Sequence, residues 1–155
     1  MALIKVPTRG RVALADSDMP AGAVLQVVHD SLASATATTS ASYVDTALSL
    51  TITPSSTSSK ILIIANVTGI WHGAANIYLK ARPIRGSVGL VEFGGASGYS
   101  THTSSGGTMG TNQLDSPNTI SATTYKIQIL SATGASMTIC NNNSISSITL
   151  MEIAG

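Results

Sequence analysis

The side chains that most often hold metals or act as nucleophiles are few and widely spaced in this sequence. His29, His72 and His102 form none of the close pairs, such as HxH or HExxH, through which two imidazoles bind one metal ion. The single cysteine, Cys140, permits neither an intrachain disulfide nor a cysteine-based metal site. The sequence therefore predicts no metal centre and no cofactor within one chain.

The acidic residues predict no hydrolytic site. No motif brings two carboxylates together as a general acid and base. The seven acids are Asp16, Asp18, Asp30, Asp45, Glu92, Asp115 and Glu152. Serines are abundant, but neither a G-x-S-x-G nucleophile elbow nor a G-x-x-x-x-G-K-[ST] phosphate loop occurs. We therefore predict a protein that is not an enzyme.

The composition predicts a chain that buries much of its surface in an assembly. Charged residues make up 10% of the sequence, whereas an ordinary soluble domain has roughly 25%. Hydrophobic residues make up 43%, and the mean hydropathy is +0.30. A lone monomer of this kind would be poorly soluble, so contact with further copies is expected. The net charge of +1 offers no basic stripe, so no nucleic-acid partner is predicted.

Alternation of apolar and polar residues predicts an all-β domain over residues 21–155. The period of two is clearest in residues 48–52, 77–82 and 124–130, which is typical of half-buried strands. Shorter strands are predicted at 24–29, 88–93, 136–140 and 145–153. With about eight strands and no helix, the expected architecture is a β-sandwich or jelly roll.

Three further predictions concern the interior of this domain. Residues 60–67, KILIIANV, form a continuous apolar run, which predicts a central strand buried on both faces. Pro83 is expected to end the strand before it, because proline has no N–H for a ladder. Residues 94–110 are rich in Gly, Ser and Thr and are predicted to form one long loop.

Residues 1–20 differ from the rest in their concentration of charges. Lys5, Arg9 and Arg11 lie here with two of the acids, and prolines and glycines punctuate the segment. We interpret it as a short extended arm that docks on another component through these basic residues. A free tail or an edge strand is the alternative. The segment lacks the apolar core of a signal peptide, and no stretch is apolar enough to insert in a membrane.

Four residues are candidates for contact with a receptor surface. Trp71 and His72 follow the apolar run, where a strand is expected to reach a loop. A lone tryptophan usually fills a core or an interface, and its functional interpretation is an aromatic platform for a sugar or a partner. Tyr99 and His102 lie in the predicted 94–110 loop. A metal held by three copies of His102 is the disfavoured alternative to an exposed or ligand-contacting histidine.

Three stretches resemble virion proteins of tailed bacteriophages, especially phages of cyanobacteria and other aquatic bacteria. They are residues 39–63 (TSASYVDTALSLTITPSSTSSKILI), 116–129 (SPNTISATTYKIQI) and 146–155 (SSITLMEIAG). In that group the module is commonly the C-terminal domain of tail fibres or related surface appendages. The resemblance implies a β-sandwich or jelly roll that assembles as a homotrimer and has no catalytic residues.

The expected function is therefore that of a surface component of a virion, assembled in the host cytoplasm. Its expected partners are further copies of itself, other tail or capsid proteins, and a host cell-surface glycan or protein. Only about 20 residues precede the module, which is short for a fibre. A capsid decoration (cement) or head-fibre protein is therefore an alternative. A free carbohydrate-binding module is a second alternative.

Overall fold

The computed structural model describes residues 19–97 and 105–155, and within these ranges the chain is all-β, as predicted. It forms eleven strands and one 3-10 turn at Asn141–Asn143, with no α-helix in the described ranges. The strands are β1 Val24–Leu32, β2 Thr36–Thr38, β3 Val44–Ile52, β4 Lys60–His72, β5 Leu79–Arg85, β6 Val88–Gly89, β7 Phe93–Ser97, β8 Ser105–Asp115, β9 Thr123–Ser131, β10 Met137–Ile139 and β11 Ser146–Ile153.

The strands form two antiparallel sheets. In sheet A, one edge of β4 pairs with β8, while the other edge pairs first with β11 and then with β10. β1 continues the sheet beyond β11, and β2 continues it beyond β10. Sheet B has the order β3-β9-β5, with β6 and β7 on the far edge of β5. Two antiparallel sheets without crossover helices make a β-sandwich.

One hydrophobic core lies between the two sheets. Alternate residues of β4 and β9 supply its centre, because successive side chains of a strand point to opposite faces. The fully buried members from these two strands are Ile61, Ile63, Ala65, Val67, Tyr125, Ile127 and Ile129. The predicted alternation over residues 124–130 is thus the pattern that the core requires.

The central strand β4 is not buried on both faces, so that prediction is wrong for the single chain. Ile61 and Ile63 are 0% exposed, whereas Leu62 and Ile64 on the opposite face are only half-buried. Sheet B covers one face of sheet A, and no second layer among the described residues covers the other. The apolar run therefore supplies two surfaces, one in the core and one facing outward.

Pro83 does not end β5 but lies inside it, opposite Ile127 of β9. The carbonyl of Pro83 accepts a hydrogen bond from the Leu90 N–H at 2.9 Å, on the edge away from β9. The N–H and C=O of a residue in an antiparallel ladder point to the same side. The N–H that proline lacks would therefore point away from β9, so the ladder between β5 and β9 loses nothing.

The prediction of one long loop over residues 94–110 is also wrong at both ends of that range, because β7 and β8 form there. The sequence of β8, SGGTMGTNQLD, has weak strand propensity, but the strand pairs with β4 from Ile61↔Asp115 to His72↔Ser105. A Cβ at Gly106 would lie 2.4 Å from the Ile70 carbonyl oxygen. Glycine is therefore needed there for close approach to β4, and pairing outweighs propensity.

One buried carboxylate fastens the last strand to its neighbours. Glu152 of β11 is 0% exposed and accepts hydrogen bonds from Gln26 Nε2 at 2.5 Å and from Ser55 N and Oγ at 2.7 Å each. Burial by itself raises the pKa of Glu152, but the hydrogen bonds from Gln26 and Ser55 more than offset it. The net pKa therefore lies below its ordinary value.

Glu152 should make stability depend on pH in the acid range. Because its pKa is lowered on folding, its contribution is present above the unfolded pKa of about 4.3 and is lost as pH falls through the folded pKa. Glu152→Gln should lower the free energy of unfolding at pH 7 by about 1–3 kcal/mol. It should also flatten the dependence between about pH 5 and pH 3. Urea unfolding across this pH range measures both effects.

The matched control is Glu92→Gln, which removes a carboxylate that is 39% exposed and paired with Lys80 on the surface. Exposed pairs contribute little, so this variant should unfold much like the wild type at pH 7. Equal acid dependence in the wild type and in Glu152→Gln would contradict the structural role given to Glu152.

Candidate interaction surfaces

Strand β4 separates two ends of the sandwich. At its Lys60 end the chain enters the domain, and Gly22 N donates to the Ala154 carbonyl at 2.8 Å, beside the C-terminus. At its other end lie Trp71 and His72. Since β4 has 13 residues, a rise of about 3.3 Å per residue puts the two ends roughly 40 Å apart. We call them the entry end and the distal end.

The predicted docking residues Lys5, Arg9 and Arg11 lie outside the described residues, so their role stays a prediction. The structure does describe where their segment joins the domain. Met19 lies at the entry end and helps to line an open depression of about 240 Å³. The other lining residues are Leu25, Ser55, Ser56, Ser58, Ser59, Ala154 and Gly155. The predicted arm therefore connects to the sandwich beside the C-terminus.

A polar cluster ties the two sheets together near the entry end. Asp115 of β8 accepts two hydrogen bonds from Arg85 Nη1, at 2.7 and 2.9 Å, and one from the Tyr125 hydroxyl at 2.7 Å. Burial, followed by the hydrogen bond to Asp115, raises the pKa of Tyr125. The phenol is thus held as a proton donor. Asp115 belongs to sheet A and its partners to sheet B, so the cluster is structural.

Trp71 and His72 point to opposite faces of β4, because they are adjacent in a strand. The Trp71 side chain faces outward and is 37% exposed, as a surface contact requires. His72 is 0% exposed, and its Nδ1 lies 2.6 Å from the Ala74 carbonyl oxygen. His72 is therefore an interior residue, in contrast to its predicted place on the surface.

Tyr99 and His102 also lie outside the described residues, and their assignment stays a prediction. The residues that flank their segment are described. Ser97 pairs with Leu79, and Ser105 pairs with His72. Ser105 therefore lies beside the end of β4 that carries Trp71, and Ser97 is paired with the first residue of β5.

A bulge in β4 shapes the surface beside Trp71. The register with β8 shifts between Val67 and Ile70, and Gly69 adopts a φ of +58°. An open depression of about 260 Å³ lies here, lined by Gly69, Ile70, Trp71, Gly106, Asn141, Asn142 and Ser144. Its lining combines one aromatic ring with amide and hydroxyl groups and contains no charged side chain. Such a surface suits contact with an uncharged polar partner.

The outward faces of the two sheets differ sharply in charge. On sheet B the outward residues include a set of charged side chains with two ion pairs, Lys126 with Asp45 at 2.8 Å and Lys80 with Glu92 at 2.9 Å. Arg82 stacks on the Tyr43 ring of the same face at 4.0 Å. We call this surface the charged face.

Within residues 19–97 and 105–155, the outward face of sheet A carries one Lys, Arg, Asp or Glu residue, Lys60, at its corner, together with the exposed His29. Its aliphatic and methionine side chains are Val24, Val27, Leu62, Ile64, Leu114, Met151 and Ile153. We call this surface the apolar face. The exposed fractions of Val24, Val27 and Leu114 are 51%, 53% and 57%. The difference between the two faces is visible only when the strands are placed in their sheets.

Two other kinds of functional feature, a metal site and a membrane-spanning helix, do not occur within residues 19–97 and 105–155. No group of three or more His, Cys, Asp or Glu residues is placed to hold a metal ion. No helix there is long and apolar enough to cross a membrane. No protein-family model matches the chain, and no curated protein matches its sequence. The resemblance to phage virion proteins therefore stays a prediction.

Substitution of Gly69 tests how the bulge builds the distal surface. A Cβ at Gly69 would lie 2.6 Å from Ser144 Cβ and 2.7 Å from both Asn141 N and Asn141 O. Gly86 has nearly the same φ, +57°, but nothing lies within 4 Å of its Cβ position. In both Gly→Ala variants the free energy of unfolding should fall by about 1–2 kcal/mol, because alanine disfavours the left-handed backbone conformation. Gly69→Ala should lose a further ~1–3 kcal/mol in denaturant unfolding through the clash. Equal losses in the two variants would contradict close packing at Asn141.

Proposed function

We propose that this protein is a non-enzymatic structural component of a bacteriophage particle, attached through residues 1–20 and exposing its distal end. The observation that carries the proposal is that the point where the arm joins the domain and the exposed Trp71 lie at opposite ends of β4. The arm joins the sandwich at the entry end, roughly 40 Å from the exposed Trp71. This arrangement suits a protein that is fixed at one end and makes contact at the other. Residues 39–63, 116–129 and 146–155 resemble phage virion proteins, and this resemblance is the reason for proposing a phage particle.

The proposal includes a jelly-roll type of sandwich that assembles as a homotrimer. The low charge of the chain and its apolar face support self-association. In a closed threefold assembly the three arms leave on the same side and the three distal ends lie together. Three weak contacts made at once bind far more tightly than one, by up to about 10²–10⁴-fold in favourable geometry.

The distal end is the part that we assign to the host. Trp71 and the uncharged depression beside it provide a platform for a cell-surface glycan or protein, and Tyr99 and His102 are predicted to contribute from the neighbouring segment. A capsid decoration or head-fibre protein is the close alternative. It too needs an arm and a compact trimer, and it differs in its position on the particle. The aromatic depression favours a second alternative, a free carbohydrate-binding module.

Labelling of purified particles tests the virion assignment. An antibody against the β domain should mark the particle in electron micrographs, because an attached structural protein purifies with it. Label at the tail is expected for a fibre component, and label over the shell would favour the decoration alternative. Absence of the protein from purified particles would contradict both and favour the free module.

Deletion of residues 1–20 tests whether the arm attaches the protein to the particle. The truncated chain should fold, because the described strands and core begin at Val24, but it should no longer join the particle. Unchanged incorporation without the arm would contradict the docking role of Lys5, Arg9 and Arg11.

Trp71→Ala tests the contact made by the distal end. The variant should still assemble into particles, because the side chain is 37% exposed and contributes little to the core. Adsorption of these particles to host cells should fall about tenfold or more, since buried aromatic anchors often contribute over ~2 kcal/mol to binding. Val91→Ala is the control, because Val91 is 71% exposed and lies away from the distal end. Equal adsorption of the two variants would contradict the role of Trp71.

A further inference from the structure

An unbroken apolar row crosses four strands of sheet A, β1, β11, β4 and β8, on its outward side. Val27 pairs with Met151, Met151 pairs with Leu62, and Leu62 pairs with Leu114. Directly paired residues of antiparallel strands point to the same face, so these four side chains lie in one line. Ile64 lies in the next outward row, which it shares with His29, Thr149 and Asn112. The row runs from one edge strand to the other.

This row contrasts with the surface that the same domain presents on sheet B. There, ion pairs and hydrogen bonds hold Lys126, Asp45 and Gln128 in a network suited to water. A face that is permanently in water carries such charges, whereas an exposed apolar face of this extent marks an interaction site. The apolar face is thus the one that a partner covers.

Charge indicates what kind of partner fits. Among the residues that the structure describes, Lys60 is the one Lys, Arg, Asp or Glu on the apolar face, and it lies at the corner of the sheet. Two copies of the charged face would have to desolvate its ion pairs, while copies of the apolar face meet without that penalty. A charged partner would find no complementary group across the middle of this surface. A second copy of the same face is therefore a suitable occupant.

The width of the face supports the same occupant. Four strands about 4.8 Å apart make the face about 19 Å wide. Three sheets about 19 Å wide around one axis would each lie roughly 5 Å from it, which is half the usual ~10 Å separation of packed sheets. The face thus has the width that a threefold core requires.

We propose that copies of this chain associate through the apolar face, with the row Val27–Met151–Leu62–Leu114 of each copy packed against those of its neighbours. The inference rests on the proposed function, because it names the surface through which the proposed homotrimer forms. Leu62 and Ile64, half-buried in the single chain, become fully buried in the assembly.

The test compares the solution mass of a variant with lysines on the apolar face with that of a variant with a lysine on sheet B. Val27→Lys/Leu114→Lys charges both ends of the row on edge strands, where lysine is well tolerated. Val88→Lys is the matched control, since Val88 is 51% exposed and belongs to β6 in sheet B. Light scattering should give the wild type and Val88→Lys three times 15.7 kDa, and the double variant 15.7 kDa. The circular dichroism of all three should agree.

The outcomes separate this inference from the proposed function. A wild type of 15.7 kDa at every concentration overturns both the trimer and the interface. A trimeric wild type whose mass survives Val27→Lys/Leu114→Lys overturns the interface alone. If the double variant fails to fold, Val27→Thr/Leu114→Thr replaces it and should raise the dissociation constant at least about tenfold. Dissociation caused only by deletion of residues 1–18 identifies the arm as the occupant and also overturns the inference.

Discussion

The fold depends on a geometric constraint in β4, because successive side chains of a strand point to opposite sides. The strand is apolar at almost every position of residues 60–67, but sheet B can cover only one of its faces. Ile61 and Ile63 fill the core, and Leu62 and Ile64 must face outward. The core of the sandwich and its apolar outer surface are therefore two consequences of one sequence segment.

The second organising feature is the polarity of the molecule along the same strand. The domain begins and the described chain ends near Lys60, where Glu152 and the Asp115 cluster fasten the strands with partly buried hydrogen bonds. The far end of β4 differs, because it contains the bulge at Gly69 and the exposed ring of Trp71. The hydrogen-bonded clusters and the exposed aromatic ring thus lie at opposite ends of β4.

Much of the fold was predictable because alternation is a local signal. The strands β3, β9 and β11 lie close to their predicted positions, since half of their side chains must reach the core. β8 was missed because its glycine-rich sequence forms a strand only through pairing with β4. Pro83 was misjudged because its tolerance depends on which edge of β5 the missing N–H faces.

The candidate site was less predictable for a similar reason. Trp71 and His72 are neighbours in sequence, and only the register of β4 places one outside and the other in the core. The sequence by itself determined the all-β class, the low charge and the absence of recognisable catalytic motifs, because these follow from composition and local order. The tertiary structure alone decided that seven apolar side chains from β1, β4, β8 and β11 share one outward face while the charged pairs share the other. Sheet pairing joins residues far apart in the chain, and no local pattern records which strands become neighbours.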